Sequence, residues 1–368
     1  MKKTVFPLLL LFLLFCICIT ACGGHDSGDF TPPPECEHSF GEWYTESELT
    51  CTQDGVKSRI CDKCSDRELD VTPAITHNFV NDYCQNCGIS ILEPGLYDEN
   101  GEMIASWDTL VNTYGMDIEK DYFSDDYNIC ETSPYYVLTH NDELKKGVRI
   151  VIGNQVERIG CYAFYYTPTL TEVNVGERVK HIGYSSFEHC ENLRSVSISY
   201  SVRSIADFAF SSCINLLSIE IPDSVEELDN VAFYFCDNLT SVKIGKGLTY
   251  MGNWIFGYCP KLSSVEIAGN LPLFDEYLFY SCTSLKSMVI PDSVTAIEAS
   301  VFACCTALES VVIPDSVTEI GEEAFNGCES LTHVYYTGTE EEWAAISVAG
   351  LNAPLKNATI IYNYVPNE

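Results

Sequence analysis

Positive charge is scarce in this chain. Its 20 lysines and arginines stand against 53 aspartates and glutamates, a net charge of -33. Nucleic acid and anionic phospholipid are bound by neutralising phosphates, so the balance argues against both as partners. It suits a soluble, self-repelling surface, and it is open to basic ligands or divalent cations. Catalytic signatures are missing as well. The seven histidines are scattered, and no nucleophile motif or phosphate loop occurs. Carboxylates are plentiful, but spacing singles out no pair, so catalysis is the least favoured function. The longest apolar run, Val5 to Ile19, falls short of the about 20 residues that a spanning helix needs.

That run follows Lys2 and Lys3 and leads into Ile19-Thr20-Ala21-Cys22-Gly23. A basic start, a short apolar stretch and small residues before a processing point form an export signal. An uncleaved anchor helix is the rival reading. Ile-Thr-Ala-Cys resembles the bacterial lipobox, which implies cleavage before Cys22, its lipidation, and attachment to a membrane only through that lipid. Residues 23–35, with Pro32-Pro33-Pro34, carry no core pattern and read as a tether.

What the chain has in abundance is a fixed period. Phe164, Phe187, Phe210, Phe233, Phe256, Phe279, Phe302 and Phe325 are each 23 residues apart. Three residues after the Phe stands a cysteine in every repeat but the first, from Cys190 to Cys328, with Thr167 as the exception. An unbroken leucine column from Leu170 to Leu331 follows, and then a Val-x-Ile pair. Such a period means stacked units, each too small to bury its own apolar face. One unit offers about seven core side chains at ~1.5–3 kcal/mol each. It must order its 23 residues at ~1–2 kcal/mol apiece. A lone unit loses that comparison, and eight sharing a core can win it. The reading is a repeat solenoid over residues 159–336.

Within a unit, Leu-x-x-Val-x-Ile alternates as a short strand does. Pro-Asp-Ser-Val ends that strand at Pro222, Pro291 and Pro314. An apolar pair such as Val317 and Ile320 starts the return leg, and Gly321 to Phe325 folds one turn that sinks the Phe. The cysteine column invites a metal or redox reading. Equivalent side chains in a stack point the same way, however, so small buried thiols are the better account. Cys304 is off the column and reads as an exposed free thiol; a bridge between Cys130 and Cys161 is a guess.

Residues 36–92 form a small Cys/His-rich module. Cys61-Asp-Lys-Cys64 and Cys84-Gln-Asn-Cys87 are two C-x2-C knuckles at zinc-ribbon spacing, which implies a structural zinc. His38, Cys51 and His77 offer an alternative grouping, and disulfide pairing in an exported chain is the competing account. Residues 93–158 lack the period except at their end, where Ile150, Ile152, Val156 and Ile159 make a half-repeat. With a hairpin turning at Asn100-Gly101, they read as an N-terminal cap. Thr339 and Glu342 form a capping-box pattern that opens a C-terminal cap over 337–368.

The consensus Leu-x-x-Val-x-Ile-Pro-x-Ser-Val-x-x-Ile-Gly-x-x-Ala-Phe-x-x-Cys-x-x-Leu resembles the BspA-like leucine-rich repeats of bacterial surface proteins. The resemblance covers residues 150–336. It implies a β-rich leucine-rich-repeat solenoid of about eight repeats, at the bacterial cell surface, without enzymatic activity. Members of that family include adhesins that bind host matrix proteins, so an extracellular protein ligand is expected first and a surface glycan second.

Packing rules leave two places for a ligand. One is the outward column of the strand face, where Val289, Val312, Tyr335 and His333, with Glu266 nearby, are less polar than a solvated strand needs. The other is the aromatic set between the Phe and Cys columns: Tyr165, Tyr166, Tyr234, Phe235, Tyr258 and Tyr280.

Overall fold

The computed structural model describes residues 93–122, 132–268 and 271–366, and the backbone of five short strands between residues 44 and 84. The chain divides into two compact units, Met1–Ile75 and Thr76–Glu368. In the first, Tyr44–Ser47, Gly55–Ile60 and Arg67–Thr72 form an antiparallel three-stranded sheet. In the second, Phe79–Val80 and Tyr83–Cys84 form a hairpin, which places Cys84 by its backbone alone. His38, Cys51, Cys61, Cys64, His77 and Cys87 lie outside the described residues, as do the export signal, Cys22, the tether and Cys130.

The repeats build a β-solenoid of nine turns. Nine parallel strands begin at steps of 23 residues, from Arg149–Val151 through Ser218–Ile221 to His333–Tyr336. Within Ser218–Ile221, Ile219 and Ile221 are buried while Ser218 and Glu220 face solvent. Eight two-residue strands, from Arg158–Ile159 to Glu319–Ile320, line the return leg at the same step. Register partners are 23 residues apart, as in Val242↔Val265, so each core column stacks on itself.

The turn around each Phe makes a third ladder that the strand pattern does not announce. Phe210 N–H donates to the Ala232 carbonyl at 2.9 Å, and Phe208 and Ser212 N–H donate to Asn230 and Tyr234 at 3.1 and 2.7 Å. Ala209 and Ser211 instead close turns onto carbonyls three residues back. This alternation requires a left-handed residue two before and two after the Phe, such as Phe208 and Ser212, both at φ 58°. Left-handed backbone costs a non-glycine residue ~1–2 kcal/mol. Each of these residues gains in return a bond to the next turn. The Phe rings sink between the ladders, fully buried and stacked at centroid distances from 4.9 Å (Phe164–Phe187) to 5.7 Å (Phe233–Phe256).

The strand-face ladder breaks twice, first between Ser195–Ser197 and Ser218–Ile221, where the return-leg ladder runs on, and then at a seam where both strand ladders stop. Among the described residues, Ser264–Ile267 is not paired with Ser287–Val289, nor Tyr250–Met251 with Leu273–Phe274. Thr249 and Thr295 donate their N–H groups to the preceding repeat at this position of the return leg. Pro272, between them in the column, has no N–H to give. Of the backbone ladders only the turn ladder crosses here, through Trp254, Phe256 and Tyr258 N–H groups. Beside it, the Cys282 thiol and Thr283 hydroxyl donate to the Phe256 and Pro260 carbonyls, both at 3.2 Å.

At the first turn, Gly95–Tyr97 and Met103–Ser106 form a hairpin, and Gly95–Tyr97 pairs antiparallel with Arg149–Val151. Gly101 takes φ 81° at its turn, and the Asp98 carboxylate accepts the Asn100 and Glu102 N–H groups. Trp107, Leu110 and Val137 join the repeat core. At the far end, the segment after Tyr336 continues all three ladders. Thr359–Ile361 pairs with His333–Tyr336, and Ser347–Val348 pairs with Glu319–Ile320. Phe325, which has no following turn, donates its N–H to the side-chain oxygen of buried Asn352 at 2.9 Å.

Candidate functional site

The left-handed turn positions decide which side chains crowd the turn edge. Phe235, Trp254, Tyr258 and Tyr277 all have φ between 54° and 60°. The same backbone conformation sends their side chains out in the same direction, so their rings align. Phe235 stacks on Tyr258 at 4.9 Å, and Trp254 stacks on Tyr277 at 4.1 Å with the planes 6° apart. Tyr258 lies parallel to Trp254 at 6.2 Å. Tyr234 meets Phe235, Trp254 and Tyr258 edge-on, and Tyr280 tilts against Trp254 and Tyr258. Gly257 makes room for this array. A Cβ there would come within 2.9 Å of the Trp254 ring and 3.2 Å of Tyr234. Phe235 is 40% exposed, and the other five rings are half-buried, as held but reachable surface.

The array spans the seam, since Phe235, Trp254 and Tyr258 belong to repeats four and five and Tyr277 and Tyr280 to repeat six. The sequence pattern found Tyr234, Phe235, Tyr258 and Tyr280 but not Trp254 and Tyr277, which stand two before the Phe. The signal that marks them is the positive φ shared by both flanking columns. Tyr165 and Tyr166 belong to a second, looser group with Tyr162, Tyr184 and His189, with ring centroids 5.3–6.4 Å apart.

Carboxylates border the array. From the return strand to the cysteine column, repeats three to eight hold nine aspartates and glutamates and no lysine, arginine or histidine. Asp275 and Glu276 directly precede Tyr277. Burial, then Asp207 and Glu227, raise the pKa of Asp229; burial, then Glu319 and Asp275, raise that of Glu298. Asp275 is likewise raised, by burial first and then by Glu276. The Tyr250 phenol, 44% exposed, is pushed up by burial and then by Asp275, Asp229 and Asp207. Among the described residues, no ion pair reaches Asp229, Asp275 or Glu298. The pairs that exist lie elsewhere, as in Arg203–Glu226 at 3.1 Å and Lys243–Glu220 at 3.2 Å.

The strand-face patch is brought together only in part. Val289, Val312 and Tyr335 are register partners in adjacent strands. Val289 is 58% exposed, but Val312, expected on the open face, is only 9% exposed between its neighbours. Tyr335 packs against Tyr364 at 4.7 Å and His333 at 6.1 Å, and the exposed His333 ring bonds Thr332 at 2.9 Å. Glu266 is exposed, but its ladder ends at the seam, so it is not paired into this patch. Cys304, expected as an exposed free thiol, is free but half-buried, with its thiol against the Tyr280 hydroxyl. Cys161 is free as well. Among the described residues, no group of three or more His, Cys, Asp or Glu is placed to hold a metal ion.

A solenoid of stacked 23-residue turns with a solvent-facing edge defines the class of repeat scaffolds. The particular family follows from its repeats. Six copies of the BspA type leucine rich repeat region match residues 143–259 and 203–332, together just over half of the chain. The chain belongs to that family. Among solved structures it is similar to a leucine-rich repeat protein from Bacteroides ovatus, with 26% identity and a TM-score of 0.48, over 58% of this chain and 63% of that one. The chain therefore spans less than two thirds of the Bacteroides protein. A leucine rich cell surface protein from Faecalibacterium prausnitzii matches at 24% identity and a TM-score of 0.37, over 54% and 82% of the two chains. The pneumococcal vaccine antigen PcpA matches at 13% and 0.29, over 86% and 100%. No curated protein matches the chain.

Proposed function

We propose that this chain is a non-enzymatic binding protein of the bacterial cell surface, held to a membrane by a lipid on Cys22, and that it adheres to proteins through its solenoid. The observation that carries the reading is the aromatic array on the turn edge. Six rings are fixed by a hydrogen-bonded backbone before any ligand arrives, so little ordering entropy opposes their use in an interface. Aromatic anchors of this kind dominate protein interfaces. The neighbouring structures described as a cell surface protein and as a vaccine antigen are in keeping with a surface location. Tyrosine-rich surfaces also suit sugars, so a surface glycan is the second reading.

The test is binding of the full chain to a panel of matrix proteins and cell-surface glycans, beside Phe235→Ala/Trp254→Ala on the turn edge and Val289→Glu on the strand face. A saturable protein ligand lost in the turn-edge variant is expected. Loss in Val289→Glu alone would move the site to the Val289–Tyr335 patch. Glycan binding alone would promote the second reading, and silence across the panel would overturn adhesion.

A further inference from the structure

Three features of the turn edge act together. The array offers ring faces and phenol oxygens that favour positive charge. Asp275 and Glu276 directly precede Tyr277, Asp229 and Glu298 continue the same column in repeats four and seven, and none of them has an ion-pair partner among the described residues. No lysine, arginine or histidine occurs in this part of repeats three to eight to dilute them. A neutral or acidic occupant would bury those carboxylates without compensation, which is costly. A flexible cationic chain matches every element, since guanidinium groups stack on aromatic rings and pair with carboxylates at once.

We propose that the turn edge of repeats four to seven docks a cationic, arginine-rich segment of a partner polypeptide, with Phe235, Trp254, Tyr258 and Tyr277 taking the side chains over their rings and Asp229, Asp275 and Glu298 pairing with them. This rests on the binding reading above and names the chemistry of its partner. The repeat step matters to the fit. Adjacent turns place equivalent groups ~4.8 Å apart, whereas alternate residues of an extended peptide lie ~6.6 Å apart. Repeats four to seven lie three such steps apart, ~14 Å, which about four to five residues of an extended segment cover, so its cationic side chains fall on rings and carboxylates of different repeats.

The experiment uses the full chain in detergent and a labelled ten-residue peptide of alternating arginine and glycine. Binding is followed by anisotropy and by Trp254 fluorescence. Three variants run beside it: Asp229→Asn/Asp275→Asn/Glu298→Gln on the turn edge, Glu220→Gln/Glu226→Gln/Glu266→Gln elsewhere with the same change of charge, and Trp254→Ala. Trp254→Phe keeps a ring and guards against misfolding. The expected result is a loss of about tenfold or more in affinity for the turn-edge triple and for Trp254→Ala. Less than about twofold is expected for the remote triple and for Trp254→Phe. Equal losses in the two triples would reduce the effect to general attraction and overturn the proposal, as would no binding at all. A protein ligand from the panel whose affinity ignores the turn-edge triple would leave adhesion standing and remove this inference. Site-specific peptide binding with a silent panel would do the reverse.

Discussion

The thiol of Cys213 donates to the backbone carbonyl of Phe187, 26 residues earlier, at 3.3 Å. The same bond recurs in all seven cysteines of the column, from Cys190 to the Phe164 carbonyl at 3.1 Å to Cys328 on Phe302 at 3.1 Å. Each of these carbonyls lies in the turn that the cysteine stacks on. The first repeat has no such turn before it, and there the column holds Thr167, whose hydroxyl finds no partner. The cysteines thus fasten the turn ladder from inside, and their reactivity is suppressed. Burial pushes the Cys190 and Cys328 thiols up to about 12. A thiol whose pKa is raised by folding contributes stability that is full below its unfolded value, about 9, and is lost as pH climbs towards 12. Cys236→Ala, which removes both the sulfur and its bond, is expected to cost about 1–2 kcal/mol in denaturant unfolding. Column thiols are expected to resist a thiol reagent at pH 8 until the protein is unfolded; rapid labelling of the native chain would refute this.

The solenoid was legible because a core column must repeat wherever the chain returns to the same axis. Phe, Cys, Leu and the Val-x-Ile pair all sit where the period puts them, and all but the half-buried Val196, Val265 and Ile267 are buried in the described turns. The turn ladder was not legible, because backbone bonds leave no residue signature. Serine, tyrosine, valine and glutamate all occupy the left-handed positions. The Val312 error has the same root: outward pointing was read from alternation, and cover by neighbouring side chains depends on packing that alternation does not encode.

Asn352 ends the turn ladder by imitating the missing next turn. Its side-chain oxygen accepts from Phe325 N–H, and its amide donates to the Gly321 carbonyl at 2.8 Å. Asn352→Ala orphans a buried N–H and is expected to cost about 2–3 kcal/mol. Asn352→Asp keeps an acceptor but loses the donor and buries a charge, so it is also expected to destabilise. Thermal unfolding measures both, and an unchanged midpoint in Asn352→Ala would remove this role.

The turn-edge carboxylates give a pH dependence of unusual sign. Folding raises the pKa of Asp229, Asp275 and Glu298 above ordinary carboxylate values near 4. Their favourable contribution is therefore full below pH 4 and lost as pH rises through the raised values, which leaves a net cost at neutrality. All three are half-buried and still reached by water, so screening keeps the cost small. The triple Asp229→Asn/Asp275→Asn/Glu298→Gln is expected to raise the melting temperature at pH 7 by on the order of 2–4 °C. The gain should vanish near pH 3.5, and a gain that persists there would deny the electrostatic cause.

Zinc in the 36–92 module remains a sequence-based expectation, carried by Cys61, Cys64, Cys84 and Cys87. It predicts one zinc per chain, released by a chelator with loss of the module's amide dispersion in NMR spectra while the solenoid signals persist. Disulfide pairing predicts no zinc and a response to reductant instead.

The seam between repeats five and six is where both strand ladders stop together, whereas the break between Ser195–Ser197 and Ser218–Ile221 keeps its return-leg ladder. Repeat arrays are stabilised by nearest-neighbour interfaces, so the interface with the fewest bonds is the place where the array opens first. Three backbone bonds of the turn ladder cross it, while elsewhere the return-leg strand ladder adds its own. Val265 and Ile267 are only half-buried beside it, unlike Val242 and Ile244 one turn earlier. Native-state hydrogen exchange is expected to show amides of Ser264–Ile267 and Leu273–Phe274 exchanging at least about tenfold faster than those of Ser241–Ile244. Pro272→Thr supplies an N–H facing the Thr249 carbonyl, so it should slow exchange at the seam and leave distant turns unchanged. Uniform protection along the array would mean that the turn ladder and the stacked Phe256 and Phe279 rings, 5.7 Å apart, hold the junction as firmly as strand pairing does at its neighbours.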